Sequence, residues 1–238
     1  MIKMLIDFHT HSKGISRCCQ IEGKDMVKVV LDNGMNGIIL TNHYDKNYVE
    51  NNDSLAFAKK YIAEYHSVKE YGALIGIKAF FGIELTMAKH NNVHMLIYGV
   101  SEEWLLEHSD IYDYTQKQLF DLVKEAGGIL VQAHPFRNGK DVLLDLNLMN
   151  GVEVNCHPLY DETHLNKLSN MAHENNILLT CGGDFHADTH RPKCGVYLPD
   201  FLQTTKEIVD YLIDAKTINL CIQEVGSMTT IDYVFDKN

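Results

Sequence analysis

Histidines and carboxylates collect at the ends of short apolar runs in this sequence. The first run ends in DFHTHS, which places His9 and His11 two residues apart. Residues i and i+2 of a strand point to the same side, about 6.6–6.8 Å apart at the backbone, so both imidazoles can face one site. Imidazole is the commonest transition-metal ligand. An H-x-H pair alone also suits two hydrogen-bonded histidines, so the prediction of a metal site depends on further ligands.

Further ligand types stand at the ends of other apolar runs, and one of them, His94, stands at the beginning of such a run. They are His43 in TNH, Glu84 in FFGIE, His94 in NNVHM, His134 in AHP, and Asp184 and His186 in GGDFH. A buried unpaired charge at Glu84 would be costly, and a carboxylate can bridge two ions through its two oxygens. The combined set of six histidines and two carboxylates predicts a metal centre.

The elements that must position these residues follow an alternating pattern. Strand-like runs cover residues 4–9, 36–41, 74–84, 93–100, 128–133, 151–155, 177–182, 195–198 and 217–222, and helix-like segments cover residues 24–33, 54–71, 114–126, 164–175 and 205–215. Alternating strands and helices indicate an α/β protein with a parallel sheet. In a βα barrel the active site lies at the carboxyl ends of the strands, where all of these ligand types except His94 stand.

Composition limits the class of partner and the compartment. The chain has 32 acidic and 21 basic residues, a formal charge of −11, which disfavours binding to long nucleic acids. Six cysteines without a CxxC pair indicate reduced thiols and a cytoplasmic protein. No signal peptide or membrane span is expected. We expect one domain over residues 1–238.

In chain order, these motifs resemble those of the PHP (polymerase and histidinol phosphatase) superfamily of metal-dependent phosphoesterases. HTH, TNH in place of the usual T-D-H, GIE, VH, AHP and GGDFH cover most of the chain. The resemblance implies a distorted TIM-like (β/α)7 barrel over residues 1–238. It also implies hydrolysis of a phosphate ester by a metal-activated water, with two or three divalent transition metals, Mn, Fe or Zn, as cofactors.

The same resemblance implies a role for each ligand. One ion would be held by His9, His11, Glu84 and Asp184, a second by Glu84, His94 and His134, and a third by His43 and His186. Glu84, Asp184 and His186 are the expected catalytic residues. The family usually adds a His or Asp five or six residues after H-x-H.

At those positions this chain has Ser16 and Arg17. Either Arg17 substitutes its charge for the third ion, or Cys18, Cys19 or Glu22 supplies the missing ligand. We expect a weak or absent third metal.

Arginine is scarce in this chain and lies close to the ligand motifs. There are 18 lysines but only three arginines, Arg17, Arg137 and Arg191, each within six residues of a candidate ligand. Guanidinium matches phosphate bidentately and keeps its charge. We expect these three to bind the substrate phosphate, although helix capping or surface ion pairs are the alternative for each. The expected substrate is a small phosphomonoester, such as a nucleotide or histidinol phosphate, or a short oligonucleotide.

Two other functions remain open. An amidohydrolase or a TatD-like deoxyribonuclease also opens with H-x-H after its first strand, but an amidohydrolase often has a modified lysine where Glu84 stands. A non-catalytic, metal-binding regulatory PHP domain is the second alternative. His157 follows a predicted strand and faces the same edge, but it has no place in the motif set.

Overall fold

The computed structural model of this protein describes residues 3–140 and 142–237. Its eleven strands are β1 (Lys3–Thr10), β2 (Gly37–Leu40), β3 (His43–Tyr44), β4 (Lys78–Met87), β5 (Val93–Tyr98), β6 (Ile129–Gln132), β7 (Gly151–Asn155), β8 (Leu178–Gly182), β9 (Gly195–Pro199), β10 (Thr217–Gln223) and β11 (Thr230–Asp236). Its six α-helices are α1 (Gly23–Asp32), α2 (Ser54–Ile75), α3 (Glu102–Glu107), α4 (Gln116–Glu125), α5 (Leu165–Glu174) and α6 (Thr205–Asp214).

Local capping chemistry explains where several helices begin and end. Asp53 accepts a hydrogen bond from the Ala56 N–H at the start of α2, and Gly76, with φ 84°, ends that helix. Thr115 and Thr204 form capping boxes at the starts of α4 and α6. The helix α2 therefore extends to Ile75, beyond its predicted end, and the strand predicted from residue 74 begins at Lys78 instead.

The strands form one curved sheet in the order β11-β10-β9-β1-β2-β4-β5-β6-β7-β8, with β3 beside β4. The end strand β8 returns to β1, where the His11 N–H donates to the Phe185 carbonyl at 3.2 Å and Thr10 bridges Phe185. Seven strands, β1, β2 and β4–β8, thus form a nearly closed barrel, and β9–β11 extend the sheet from the first half of β1. This confirms the expected α/β barrel-like fold.

The sheet is mixed, which corrects the prediction of a parallel sheet. β5 is antiparallel to both β4 and β6, and β9 is antiparallel to β1. Only five residues separate Met87 from Val93, too few for the crossover that parallel strands require. Reversal of β5 brings its first residues to the edge of the barrel where β4 ends.

Three elements lie outside the predicted pattern: the short strand β3, the helix α3 and the final strand β11. The strand β11 has no regular alternation of buried apolar and exposed polar residues. Three of its apolar or aromatic side chains, Ile231, Tyr233 and Val234, are exposed or half-exposed. Within the two described ranges, no helix has both the length and the apolar character that a membrane crossing requires.

Gly195, the first residue of β9, packs against the backbone of β1, and we predict that it tolerates no side chain. Its φ is +137°, and a Cβ at this position would lie 2.0 Å from the Ile6 carbonyl oxygen. Gly195→Ala should lower the free energy of unfolding by about 2–4 kcal/mol, because both strain and a backbone clash are introduced. Urea unfolding measures the loss.

Gly226 provides the matched control. Its φ is +69°, but among the described residues nothing beyond its two chain neighbours would lie within 4 Å of a Cβ added there. Gly226→Ala should cost only about 1 kcal/mol, the strain of a positive φ alone. Equal losses in the two variants would contradict the argument from close approach of the strands.

Candidate metal centre

The eight predicted ligands converge at one edge of the barrel. They are His9 in β1, His11 after it, His43 in β3, Glu84 in β4, His94 in β5, His134 after β6, and Asp184 and His186 after β8. Five of them follow strands that run towards this edge, namely His11, His43, His134, Asp184 and His186, and His9 and Glu84 lie in the second halves of β1 and β4. His94 arrives from the opposite direction, because it is the second residue of the antiparallel β5 and pairs with Thr86 of β4.

The carboxylate of Glu84 is the centre of the cluster. It is fully buried, and its Oε1 lies 3.2 Å from His9 Nε2, 2.8 Å from His94 Nδ1 and 3.1 Å from His134 Nε2. Its Oε2 lies 2.6 Å from His43 Nδ1 and 3.4 Å from His11 Nε2. Five imidazoles therefore face the two oxygens of one carboxylate.

Asp184 forms a second anionic position in the cluster. Its Oδ1 lies 3.1 Å from His11 Nε2, 3.5 Å from His9 Nε2 and 3.4 Å from His186 Nδ1. Its Oδ2 accepts a hydrogen bond from the Tyr160 hydroxyl at 2.5 Å. The residue has a φ of 50°, a conformation that Asp tolerates better than most residues. His9 and His11 thus contact both carboxylates.

Electrostatics hold both carboxylates in their ionised form. Burial raises the pKa of Glu84 and of Asp184, but the neighbouring imidazoles outweigh it and hold both pKa values well below their usual range. Burial lowers the pKa of His11, and it lowers the pKa of His134 to about 4. The cluster therefore presents buried anions to rings of which two favour the neutral, ligating form.

The ligand atoms fit a multinuclear metal site. Four sets of three ligand atoms lie within 4.8 Å of one another: His9, His11 and Glu84; His9, His134 and Asp184; His43, Glu84 and His94; and His11, His43 and His186. Within the described residues, the buried atoms His9 Nε2, His43 Nδ1 and Glu84 Oε2 have no partner with hydrogen-bond geometry. Mixed imidazole and carboxylate donors suit Mn, Fe or Zn.

Glu153 orients one of these ligands, and the sequence reasoning missed it. This fully buried residue of β7 accepts hydrogen bonds from His9 Nδ1 at 2.8 Å and from the His134 N–H at 3.0 Å. Because Nδ1 carries the proton, His9 Nε2 is free to face an ion. The available signal was a single charge within the apolar strand GVEVN.

Ser16 orients His11 from the position where a His or Asp was expected. Its Oγ donates to Asn42 Oδ1 at 2.8 Å, and so it accepts from His11 Nδ1 at 3.0 Å and from the His43 N–H at 3.0 Å. This arrangement directs His11 Nε2 into the cluster.

Arg17 is exposed, donates to the Asn47 carbonyl at 3.2 Å and lies 4.7 Å over the Tyr48 ring, away from the ligands.

Cys18 is instead the neighbour of the third set of ligands, because its thiol interacts with His186 and His43. Partial burial raises the pKa of Cys18, but hydrogen bonds with these two imidazoles lower it by more. The net pKa is about 6. Cys19 is buried and donates to the carbonyls of Ile21 and His186. Glu22 is exposed and forms an ion pair with Lys13 at 3.4 Å.

Arg137 lies beside the cluster. Its Nη1 donates to the Tyr160 hydroxyl at 2.8 Å and lies 3.4 Å from His134 Nε2. Arg191 is exposed in the loop between β8 and β9. The structure therefore places one of the three arginines against the ligands.

An open depression of about 400 Å³ gives access to the cluster, and it is lined by Cys18, His43, His94, Arg137, His157, Tyr160, Asp184, His186 and His190, among others. His157 stacks on Tyr160 with ring centroids 4.5 Å apart. A larger groove of about 760 Å³ beside Trp104 and Thr205 contains no histidine or cysteine among the described residues, so size alone does not identify the site.

No protein-family model and no curated protein matches this sequence. Solved structures do share its fold. A two-domain protein from Bacteroides vulgatus ATCC 8482, "containing predicted PHP-like metal-dependent phosphoesterase", superposes with a TM-score of 0.68 at 16% identity. The match covers 93% of this chain, which spans 65% of that protein's length.

Two further structures carry other activities in their names. An amidohydrolase from Chromobacterium violaceum matches with a TM-score of 0.57 at 15% identity, over 86% of this chain and 95% of its own. The lesion-specific endonuclease PfuEndoQ from Pyrococcus furiosus matches with a TM-score of 0.58 at 16% identity, over 89% of this chain and 56% of its own. At these identities the likeness establishes the fold, and the reaction must be argued from the site.

Because Glu153 fixes the proton of His9, Glu153→Gln should weaken metal binding. The amide removes the negative acceptor for His9 Nδ1, and loss of such an outer partner typically costs about 10- to 100-fold in metal affinity. Titration of the metal-free protein with Zn²⁺ or Mn²⁺ in a calorimeter measures the change.

Glu125→Gln, at the exposed end of α4, is the matched control and should leave the affinity unchanged. An unaltered affinity in Glu153→Gln would show that His9 needs no negatively charged partner at Nδ1 and would contradict the prediction.

Proposed function

We propose that this chain is a metal-dependent phosphoesterase of the PHP type, a single catalytic domain over residues 1–238 that hydrolyses a small phosphate ester. The contact of five imidazoles with the two oxygens of the buried Glu84 carboxylate is the observation that most directly supports the proposal. A hydrogen-bonded structural glutamate needs far fewer partners. The names of the Bacteroides and Pyrococcus proteins, a phosphoesterase and an endonuclease, agree with phosphate ester chemistry.

We assign the ligands as the motif resemblance implies. His9, His11, Glu84 and Asp184 would hold one ion, because both rings contact both carboxylates, and Glu84, His94 and His134 would hold a second, because both of these rings contact Glu84 Oε1. His43 and His186 would serve a third position, next to Cys18. When bound, two divalent ions lower the pKa of a water for in-line attack and neutralise the charge on the non-bridging phosphate oxygens.

The remaining contacts of this chain prepare the site. His186 Nδ1 donates to the Asp184 carbonyl at 2.7 Å, so Nε2 is the ring nitrogen that would bind an ion or a leaving oxygen. Tyr160 donates to Asp184 Oδ2 and so holds Oδ1 towards His9 and His11. These fixed orientations reduce the reorganisation that accompanies binding.

Arg137 is the arginine best placed to bind the substrate phosphate. Its Nη1 donates to the Tyr160 hydroxyl and lies 3.4 Å from His134 Nε2, and the residue lines the open depression. Its other guanidinium donors can approach a phosphate in that depression. Arg17 and Arg191 stay in the proposal as phosphate-binding residues on neighbouring loops, with weaker support from their positions.

The substrate is a small phosphomonoester or a short oligonucleotide. A formal charge of −11 opposes long nucleic acids, and the depression has a volume of about 400 Å³, which suits a ligand of nucleotide size. The Chromobacterium amidohydrolase shares the fold, but the residue at the centre of this chain's cluster is Glu84 and not the modified lysine that an amidohydrolase often has there. Phosphate ester hydrolysis therefore ranks ahead of amide hydrolysis.

Glu84→Gln should abolish turnover. The amide removes one buried negative charge from the centre of the site, so the ions lose their shared ligand, and kcat/KM should fall by about 1,000-fold or more. Phosphate release from p-nitrophenyl phosphate, after metal removal and addition of Mn²⁺ or Zn²⁺, measures the rate, with Glu125→Gln as the control.

Circular dichroism must show that the variant is folded. If the reloaded wild-type protein cleaves p-nitrophenyl acetate or an anilide but no phosphate ester, the proposed reaction is wrong and the amidohydrolase is favoured. Tight metal binding without any hydrolysis would instead favour a regulatory domain.

Arg137→Ala should raise KM for the aryl phosphate by about tenfold or more and change kcat much less, because a charge-assisted hydrogen bond contributes about 1.5–3 kcal/mol. Arg137→Lys should recover only part of the loss, since an ammonium lacks the bidentate fork. Arg17→Ala and Arg191→Ala test the other two arginines in the same assay. An unchanged KM in all three alanine variants would contradict a phosphate-binding role for the arginines.

A further inference from the structure

Three buried cysteines form a second cluster of metal-ligand atoms. The Sγ atoms of Cys156, Cys181 and Cys194 all lie within 4.8 Å of one another, and those of Cys156 and Cys181 are 3.6 Å apart. All three residues are buried. None of them belongs to the sets of ligands that surround Glu84, and the proposed phosphoesterase reaction does not use them.

The fold assembles this cluster from three separate segments. Cys181 lies in β8 and is paired in register with Val154 of β7. Cys156 directly follows β7, and its N–H donates to the Gly182 carbonyl at 2.9 Å. Cys194 comes from the residues that lead into β9. Their spacing in the sequence, 25 and 13 residues, matches no simple metal-binding motif.

A buried carboxylate with one free oxygen adjoins the three thiols. Asp7 is fully buried, and its Oδ1 accepts hydrogen bonds from the His9 and Gly183 N–H groups, each at 2.9 Å. Its Oδ2 has no hydrogen-bond partner among the residues that the structure describes. Burial of a polar atom without a partner costs free energy, so a ligand bound at Oδ2 would stabilise the fold.

Gly183 keeps the space between this oxygen and the thiols open. A Cβ at Gly183 would lie 2.7 Å from Asp7 Oδ2 and 3.3 Å from Cys194 Sγ, so both atoms border the same small volume. Asp7 Oδ2 therefore lies next to Cys194, which is one member of the three-cysteine cluster.

We propose that Cys156, Cys181 and Cys194 bind one Zn²⁺ ion, with Asp7 Oδ2 as the fourth ligand. Sulfur atoms that bind zinc tetrahedrally at about 2.3 Å lie about 3.8 Å apart, which agrees with the observed cluster. Each thiol releases its proton to solvent as its sulfur bonds the ion. Four protein ligands leave no open position, so this site stabilises the fold rather than performing chemistry.

Such an ion would join four strands beneath the proposed catalytic centre. Asp7 belongs to β1, Cys156 follows β7, Cys181 belongs to β8, and Cys194 leads into β9. This is the region where the barrel closes between β8 and β1. The alternative is that the three thiols pack only as small apolar side chains, as free cysteines commonly do.

The test measures metal–sulfur bonds and needs no enzyme turnover. Because Cys18 adjoins the other centre, Cys18→Ser serves as the background. In that variant, stripped of metal and reloaded with Zn²⁺ under reducing conditions, X-ray absorption should show zinc–sulfur scattering at about 2.3 Å. Scattering from nitrogen and oxygen alone would overturn the proposal without any substitution in the cluster.

Co²⁺ titration assigns the sulfur ligands. The Cys18→Ser protein should develop a near-ultraviolet thiolate-to-cobalt band, and addition of Cys194→Ser or Cys156→Ser should remove most of it and lower the metal bound by one equivalent. Cys221→Ser is the matched control, because Cys221 is buried in β10 and its Sγ donates to the Lys193 carbonyl at 3.4 Å. A band that survives both cluster variants, or disappears in the control, would overturn the assignment.

Discussion

The burial of an ionised carboxylate at Glu84 is the constraint on which the rest of the site depends. An uncompensated charge in the interior would cost several kcal/mol, so the fold must surround it with groups that are positive or that hold a cation. The five imidazoles come from β1, β3, β5 and the residues after β1 and β6. Because β4 is paired with β2, β3 and β5, it presents Glu84 to all of these segments at once.

The sequence predicted nine of the eleven described strands and the edge at which the candidate ligands meet, but it did not predict the direction of every strand. An apolar run such as HMLIYG has the same pattern in either direction, so His94 was placed by its motif and not by geometry. The five-residue gap between Met87 and Val93 did contain the missing information, since it excludes a crossover. With β5 reversed, a histidine at the start of a strand reaches the same edge as those that follow strands.

The residues that orient the ligands were much harder to predict. Glu153 contacts His9 across 144 positions of sequence, and Ser16 orients His11 through a hydrogen bond that depends on Asn42. The three-cysteine cluster likewise depends on the pairing of β7 with β8 and on the path of the loop before β9. The candidate ligands can be identified from local sequence motifs. The residues that orient them are brought close only by the tertiary fold, which no local pattern predicts.

These supporting contacts share one physical effect, which is to fix the proton on Nδ1 and leave Nε2 available. Glu153 accepts from His9 Nδ1, Ser16 accepts from His11 Nδ1, and the Asp184 carbonyl accepts from His186 Nδ1. Each ring is therefore oriented by the folded chain before any ion arrives. Binding of the proposed ions would therefore need little reordering. The stability of the barrel offsets the cost of burying polar atoms such as His9 Nε2 and Glu84 Oε2, which have no hydrogen-bond partners among the described residues.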